Sequence, residues 1–211
     1  MGTTSSPELL ALHAVRVSGM TSAGGVARRT GLGRDLAEDL LLDDEARGWV
    51  RRVVFADLAG WSLTEAGRLE GERRLAEELQ RTGARPVVEA AHDIFARLNG
   101  RFLATLTRWQ IRPQPFDRLA ANEHDDPDWD GRVLDELASY RRRLAPLCAT
   151  LTGALDRFAG YDERFSEALT RAEAGRLDWV DGAGVDSCHM VWVQLHEDLL
   201  ATLGLDRGAA A

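Results

Sequence analysis

The sequence contains no lysine: all 26 of its basic residues are arginine. With its many alanines and glycines this suggests GC-rich codon usage, and it leaves the guanidinium as the only strong cation available to a carboxylate or a phosphate. Cysteine is almost as scarce. Cys148 and Cys188 stand far apart without metal-type spacing, which reads as a pair of half-buried reduced thiols and gives no basis for a disulfide framework or redox chemistry. No apolar run approaches the roughly 20 residues that span a bilayer, and the opening Met-Gly-Thr-Thr-Ser-Ser-Pro-Glu lacks a basic segment followed by an apolar one. A cytoplasmic chain without a membrane partner is expected. No phosphate loop, dinucleotide fingerprint or Gly-x-Ser-x-Gly elbow occurs, and Ser187, Cys188 and His189, although adjacent, point in different directions on a helix. Neither an enzyme nor a bound cofactor is expected.

What is present is charge, unevenly placed. The 211 residues carry a net charge of −8. Residues 1–85 hold 12 arginines against 13 acids, a net of −1, whereas residues 86–211 hold 14 against 21, a net of −7. If any part of the chain meets nucleic acid, it is the first.

Local signals divide the first part finely. Residues 1–7 and 206–211 read as short disordered tails. Glu8 to Val17 predicts a helix with Leu9, Leu10, Leu12 and Val17 on its apolar side, broken by Ser18 and Gly19. Ser22 is placed to cap a second helix that Gly31 closes, and Arg34 to Arg47 predicts a third that ends at Gly48. Val50 to Phe55 is rich in β-branched residues, Ala56 to Gly60 can turn the chain, and Trp61 to Leu63 reads as a second short strand. Three short helices and a β-hairpin make the winged-helix order, in which the third helix enters the major groove and the hairpin, or wing, touches the adjacent backbone. Thr64 then caps a longer helix to about Thr82, with Leu69, Leu75 and Leu79 on a sparse stripe.

Gly83 and Pro86 mark the expected boundary between a domain over residues 8–83 and another over 84–205. The second is read as an all-helical bundle, so the fold class is mainly α. Val87 to Gln110 is helical in pattern, with Asn99-Gly100 as a predicted break. Asp126 followed by Pro127 is a strong helix start, and Val133, Leu137, Tyr140, Leu144, Leu147 and Leu151 recur at spacings of three and four, with Pro146 as a possible bend. Asp162 and Asp186 are read as caps of two further helices.

These residues carry a resemblance. Residues 8–82 resemble the winged-helix domain of MarR-type bacterial transcriptional regulators through the Leu32–Gly48 spacing, the run from Arg47 through Gly48, Trp49 and Val50 to Arg52, and the run Leu63-Thr64-Glu65-Ala66-Gly67-Arg68. Nearly the whole chain also resembles a set of regulator-annotated bacterial proteins that end in a run like the one from His189 to Gly204. The resemblance implies a homodimer that binds double-stranded DNA through its N-terminal domain, with a helical half that dimerises and takes an apolar or aromatic effector. Arg28, Arg29, Arg34, Arg47, Arg51 and Arg52 are the candidate DNA contacts. Two departures stand against this. The groove-facing positions fall on Asp35, Leu36, Glu38 and Asp39, and Asp44 stands where a leucine would be buried, which is costly unless it is paired, for instance with Arg47.

In the helical half, Trp109, His189, Trp192 and His196 are the candidate ligand-binding residues, since aromatics lining a cleft bind flat apolar molecules. His189 and His196 are seven apart, too far to chelate one metal, so no metal site is expected. His124, Asp125, Asp126, Asp128 and Asp130 lack the glycine and distal glutamate of a calcium loop and read as a solvated loop. The alternative to a regulator is a small-molecule-binding or catalytic helical protein that keeps a degenerate winged helix.

Overall fold

The computed structural model describes residues 2–55 and 58–205; the tail expected over 206–211 and the centre of the turn expected at Ala56 to Gly60 lie outside them. The chain is mainly helical with one small antiparallel sheet of three strands. Among the described residues no helix is long and apolar enough to cross a membrane. Two compact units are formed, one by residues up to Glu89, Thr152–Arg157 and from Glu197 onward, the other by Ala90–Leu151 and Phe158–His196.

In the first unit the order is α1 (Pro7–Ser18), β1 (Met20–Thr21), α2 (Ala23–Thr30), α3 (Arg34–Ala46), β2 (Val50–Phe55), β3 (Leu58–Leu63) and α4 (Glu65–Thr82). Capping chemistry sets the helix ends: Ser6, Ser22 and Thr64 each accept a backbone N–H of the first turn, and Gly31 and Gly83 close α2 and α4 in the left-handed conformation. The sheet order is β1-β3-β2, with β1 paired to β3 at Met20↔Ser62 and Thr21↔Trp61. Leu12, Val15, Val26, Ala37, Leu41 and Val50 form the core beneath it. Leu75 and Leu79 of the α4 stripe are buried, but Leu69 is exposed. Residues read as an N-terminal tail take a defined course: Thr3 bridges Leu155, and Thr4 donates to Asp156.

A charged network ties distant stretches of this unit together. The Arg157 guanidinium, 2% exposed, donates to Glu78 Oε2 at 3.0 Å, to Thr202 Oγ1 at 2.7 Å and to Asp198 Oδ1. Buried His13 on α1 meets the same Asp198 oxygen at 2.9 Å through Nε2, while its Nδ1 has no partner among the described residues. That arrangement suits a neutral ring protonated on Nε2, because a bare lone pair is the less costly group to leave unpaired. At the margin, Arg16 bridges Glu72 and Glu197, and Arg68 bridges Glu65 and Glu72.

The second unit holds most of α5 (Arg85–Gln110), α6 (Pro127–Ala154) and α9 (Cys188–Leu203), with α7 (Tyr161–Glu173) and α8 (Asp178–Asp181). α5 runs unbroken through Asn99 and Gly100, against the predicted break. The Asn99 side-chain oxygen accepts from Trp192 Nε1–H at 2.9 Å, so it does not compete for its own backbone. α6 likewise continues through Pro146, starting at Pro127 with Asp126 accepting from two backbone N–H groups. α7 starts after Gly160 rather than at a cap by Asp162, and α9 starts at Cys188, where Ser187 accepts from Met190 while Asp186 pairs with Arg164.

Two outcomes are expected. Arg157→Met leaves two buried carboxylates without their cation and lowers stability by about 3–5 kcal/mol in urea unfolding, more than Arg16→Met does at its more exposed position. His13 has its pKa lowered, chiefly by burial, with Asp198 opposing. As pH falls through about 6.5 the unfolded chain gains a proton that the folded one refuses, so stability drops. His13→Gln removes that part of the acid sensitivity.

Candidate nucleic-acid interface

The inward stripe of α3 is Ala37, Leu41 and Asp44, at spacings of four and three. The same periodicity turns Asp35, Leu36, Glu38, Asp39, Leu42 and Asp43 outward, and all six are exposed. Leu36 is 44% and Leu42 41% exposed, so the outer face of this helix is an acidic ridge with two apolar side chains. It meets a phosphate backbone unfavourably.

The candidate arginines divide into free and committed groups. Arg28 on α2, Arg34 at the start of α3 and Arg51 on β2 are exposed and form no ion pair among the described residues. Arg29 is half-buried. Arg52 donates to Glu45 at 3.1 Å and lies over the Trp61 ring. Arg47 is 3.8 Å from Asp43 and 3.7 Å from Asp44, with its guanidinium over the Trp49 ring. On the hairpin itself Val54 is 75% exposed.

Two residues at the junction of α3, β2 and α4 escaped the sequence reading. Trp49 lies under both Arg47, at 5.1 Å, and Arg74 of α4, at 4.7 Å. Its backbone is held on both sides: the N–H donates to Asp44 O, and the carbonyl accepts from the Thr64 N–H and hydroxyl. Gly67 completes the joint, since a Cβ there would come within 1.9 Å of the Trp49 carbonyl oxygen. This explains the Leu63-to-Arg68 run in physical terms: Thr64 caps α4, and only a residue without a side chain fits at Gly67. A tryptophan directly after a helix-ending glycine was the available signal for Trp49; Arg74 had none, because its partner is 25 positions away.

Asp44 is the anomaly of the site. It is 2% exposed, and among the described residues its Oδ2 has no hydrogen-bond partner and its nearest cation lies at ion-pair rather than hydrogen-bond distance. Burial pushes its pKa up to about 6, against the pull of Arg74 and Arg47. A polar groove of about 650 Å³ is lined by Ser6, Glu8, Leu9, Arg73, Arg74 and Arg81, among others. Of these, Arg73 and Arg74 are already held by Glu70.

The second unit brings some of the candidate ligand residues together. Trp192, 1% exposed, stacks on Phe102 at 4.0 Å and 10°, with Phe95 at 4.5 Å and Tyr140 edge-on. His196 joins the same cluster through Phe95 at 5.2 Å. Trp109, 2% exposed, sits elsewhere against His124 at 4.4 Å. His189 is half-buried and its pKa is lowered by burial, with Asp181 opposing. The loop read as solvated is partly closed: Asp130 is buried and accepts from Asn122 at 2.8 Å beside His124 at 2.9 Å. Cys148 and Cys188 are free and buried, their thiol pKa values pushed up to about 12 by desolvation. Among the described residues no three His, Cys, Asp or Glu side chains are grouped as metal ligands would be.

Replacing Asp44 by Asn has a signed consequence. Between about pH 4 and 6 the folded chain keeps a proton that the unfolded one has lost, so stability falls as pH rises through that window and stays low above it. Asp44→Asn therefore gains roughly 2 kcal/mol at pH 7.5 and little at pH 4, as read by urea unfolding at both values. Comparison with family models, curated proteins and solved structures gives no match to this chain.

Proposed function

We propose that the chain is a DNA-binding transcriptional regulator, with a winged helix in its first unit and a helical second half that dimerises it and receives an apolar or aromatic effector. The observation that carries this reading is the connectivity α1-β1-α2-α3-β2-β3 with sheet order β1-β3-β2, which supports a winged helix. The unpaired guanidinium groups of Arg28, Arg34 and Arg51 support it. In this reading the arginines bind phosphates and set position, while the acidic ridge of α3 weakens binding and tolerates few sequences. Affinity then depends steeply on salt. An effector reaches Trp109 or Trp192 only by opening the packing around them.

The exposed Asp35, Glu38 and Asp39 favour a second reading, in which the winged helix no longer reads DNA and the helical half binds or transforms a small molecule. Selection of genomic fragments by the purified protein, at low and at physiological salt, separates the two. The first reading expects one palindromic site that survives physiological salt, and a salt slope that falls by about one for each of Arg34→Ala and Arg51→Ala. Weak binding without preference, abolished by salt and indifferent to both substitutions, sinks it.

A further inference from the structure

The buried carboxylate at the end of the α3 stripe adds a form of regulation to the DNA-binding reading, on which it rests. We infer that Asp44 is a proton-operated clasp: as a carboxylate it holds Arg47 and Arg74 at the α3–β2 junction, and on taking up a proton it releases Arg47 to bind phosphate, so that DNA binding tightens as pH falls.

The geometry gives Asp44 this role and denies it to its neighbours. Charged groups face it from three helices. α3 itself supplies Asp43 and Arg47, α4 supplies Glu70 and Arg74, and Glu8 of α1 acts on both arginines. Two of the other acids have reason to stay ionised, since Arg73 and Arg74 hydrogen-bond Glu70 and hold its pKa at about 2, and hydrogen bonds at the start of α1 lower that of Glu8; Asp43 is exposed. Asp44 alone is both buried and short of a hydrogen bond, with one oxygen unpartnered and the other 3.7 Å from Arg47. Burial accordingly pushes its pKa up to about 6, into the range where modest acidification neutralises it.

Neutralising Asp44 changes what Arg47 is held by. Arg74 keeps its bond to Glu70 at 2.7 Å and its place over Trp49, so it stays fixed. Arg47 has no such second anchor: its side chain is 48% exposed, its contact to exposed Asp43 is 3.8 Å, and what remains is the Trp49 face. Such an exposed pair is worth little. The change adds one positive charge beside Arg51 and Arg52 of β2, without any movement of the backbone that Trp49, Thr64 and Gly67 lock.

The test measures binding of a fluorescent 30-base-pair duplex between pH 5 and 8 at constant ionic strength, for the wild type, Asp44→Asn and Asp44→Leu. One additional phosphate contact near 0.1 M salt corresponds to about 5–10-fold in affinity. The wild type is expected to tighten by that factor around pH 6, whereas both variants bind at the tighter level throughout and lack the step. A step of the same size in both variants overturns the clasp. Carboxyl and arginine side-chain NMR titrations without DNA keep the two readings apart. If no duplex binds at any pH, yet Asp44 titrates near 6 and the Arg47 resonance moves with it, the DNA reading fails and takes the regulation of DNA binding with it, while the proton-operated release of Arg47 itself stands. If Asp44 titrates near 4, or Arg47 does not respond, the clasp fails whatever the duplex does.

Discussion

Arg157 sets a guanidinium, almost wholly removed from solvent, between Glu78 of α4 and Asp198 of α9, with Thr202 and His13 closing the ring around it. A buried cation of this kind is tolerable only when its donors are taken up, and here the acceptors come from segments separated by more than a hundred positions in the chain. The first unit thereby gains contributions that neither an N-terminal domain alone nor a C-terminal tail alone supplies. Without that ring, the stretch at Thr152–Arg157 keeps its bonds to Thr3 and Thr4, and the end of α9 keeps the Arg16–Glu197 pair and apolar contacts such as Leu9, Leu75 and Ala201.

α4 links this ring to the proposed interface. One end carries Glu78; the other begins at Thr64, capped and pressed against the Trp49 carbonyl by the bare face of Gly67. Between them Glu70 and Glu72 bind arginines in pairs, so the helix is charged along its length yet internally neutralised. Among the described residues of the proposed interface, the arginines without an ion pair lie on α2, at the start of α3 and on β2, and the acids without one, Asp35, Glu38 and Asp39, on α3. In the proposed function the opposition of those two sets, rather than the fold, would set how well the unit binds DNA.

What the sequence made legible is what is settled locally. Ser22 and Gly31, Thr64 and Gly83, and Asp126 with Pro127 announce helix ends because each acts on backbone groups within a turn of itself. The burial of Asp44 came instead from the family resemblance, which implies a buried leucine at that position. β1 was missed, because two residues become a strand only through Ser62 and Trp61, some forty positions away. Asn99 misled, since its turn-forming side chain is engaged by Trp192 across the second unit. Of the site, the identities of the arginines could be read directly, and the helical spacing offered Arg47 as the partner of Asp44, but Arg52, held by Glu45, looks no different in sequence from Arg28 or Arg51.

His13 and Asp44 are both buried in the first unit, and they misfit in opposite directions. His13 resists gaining a proton on folding, and Asp44 resists losing one. In mildly acidic solution unfolding therefore takes up a proton at one group and discharges one at the other. The net exchange of these two groups is smaller than either event, so their opposed contributions flatten one another in an acid-stability curve.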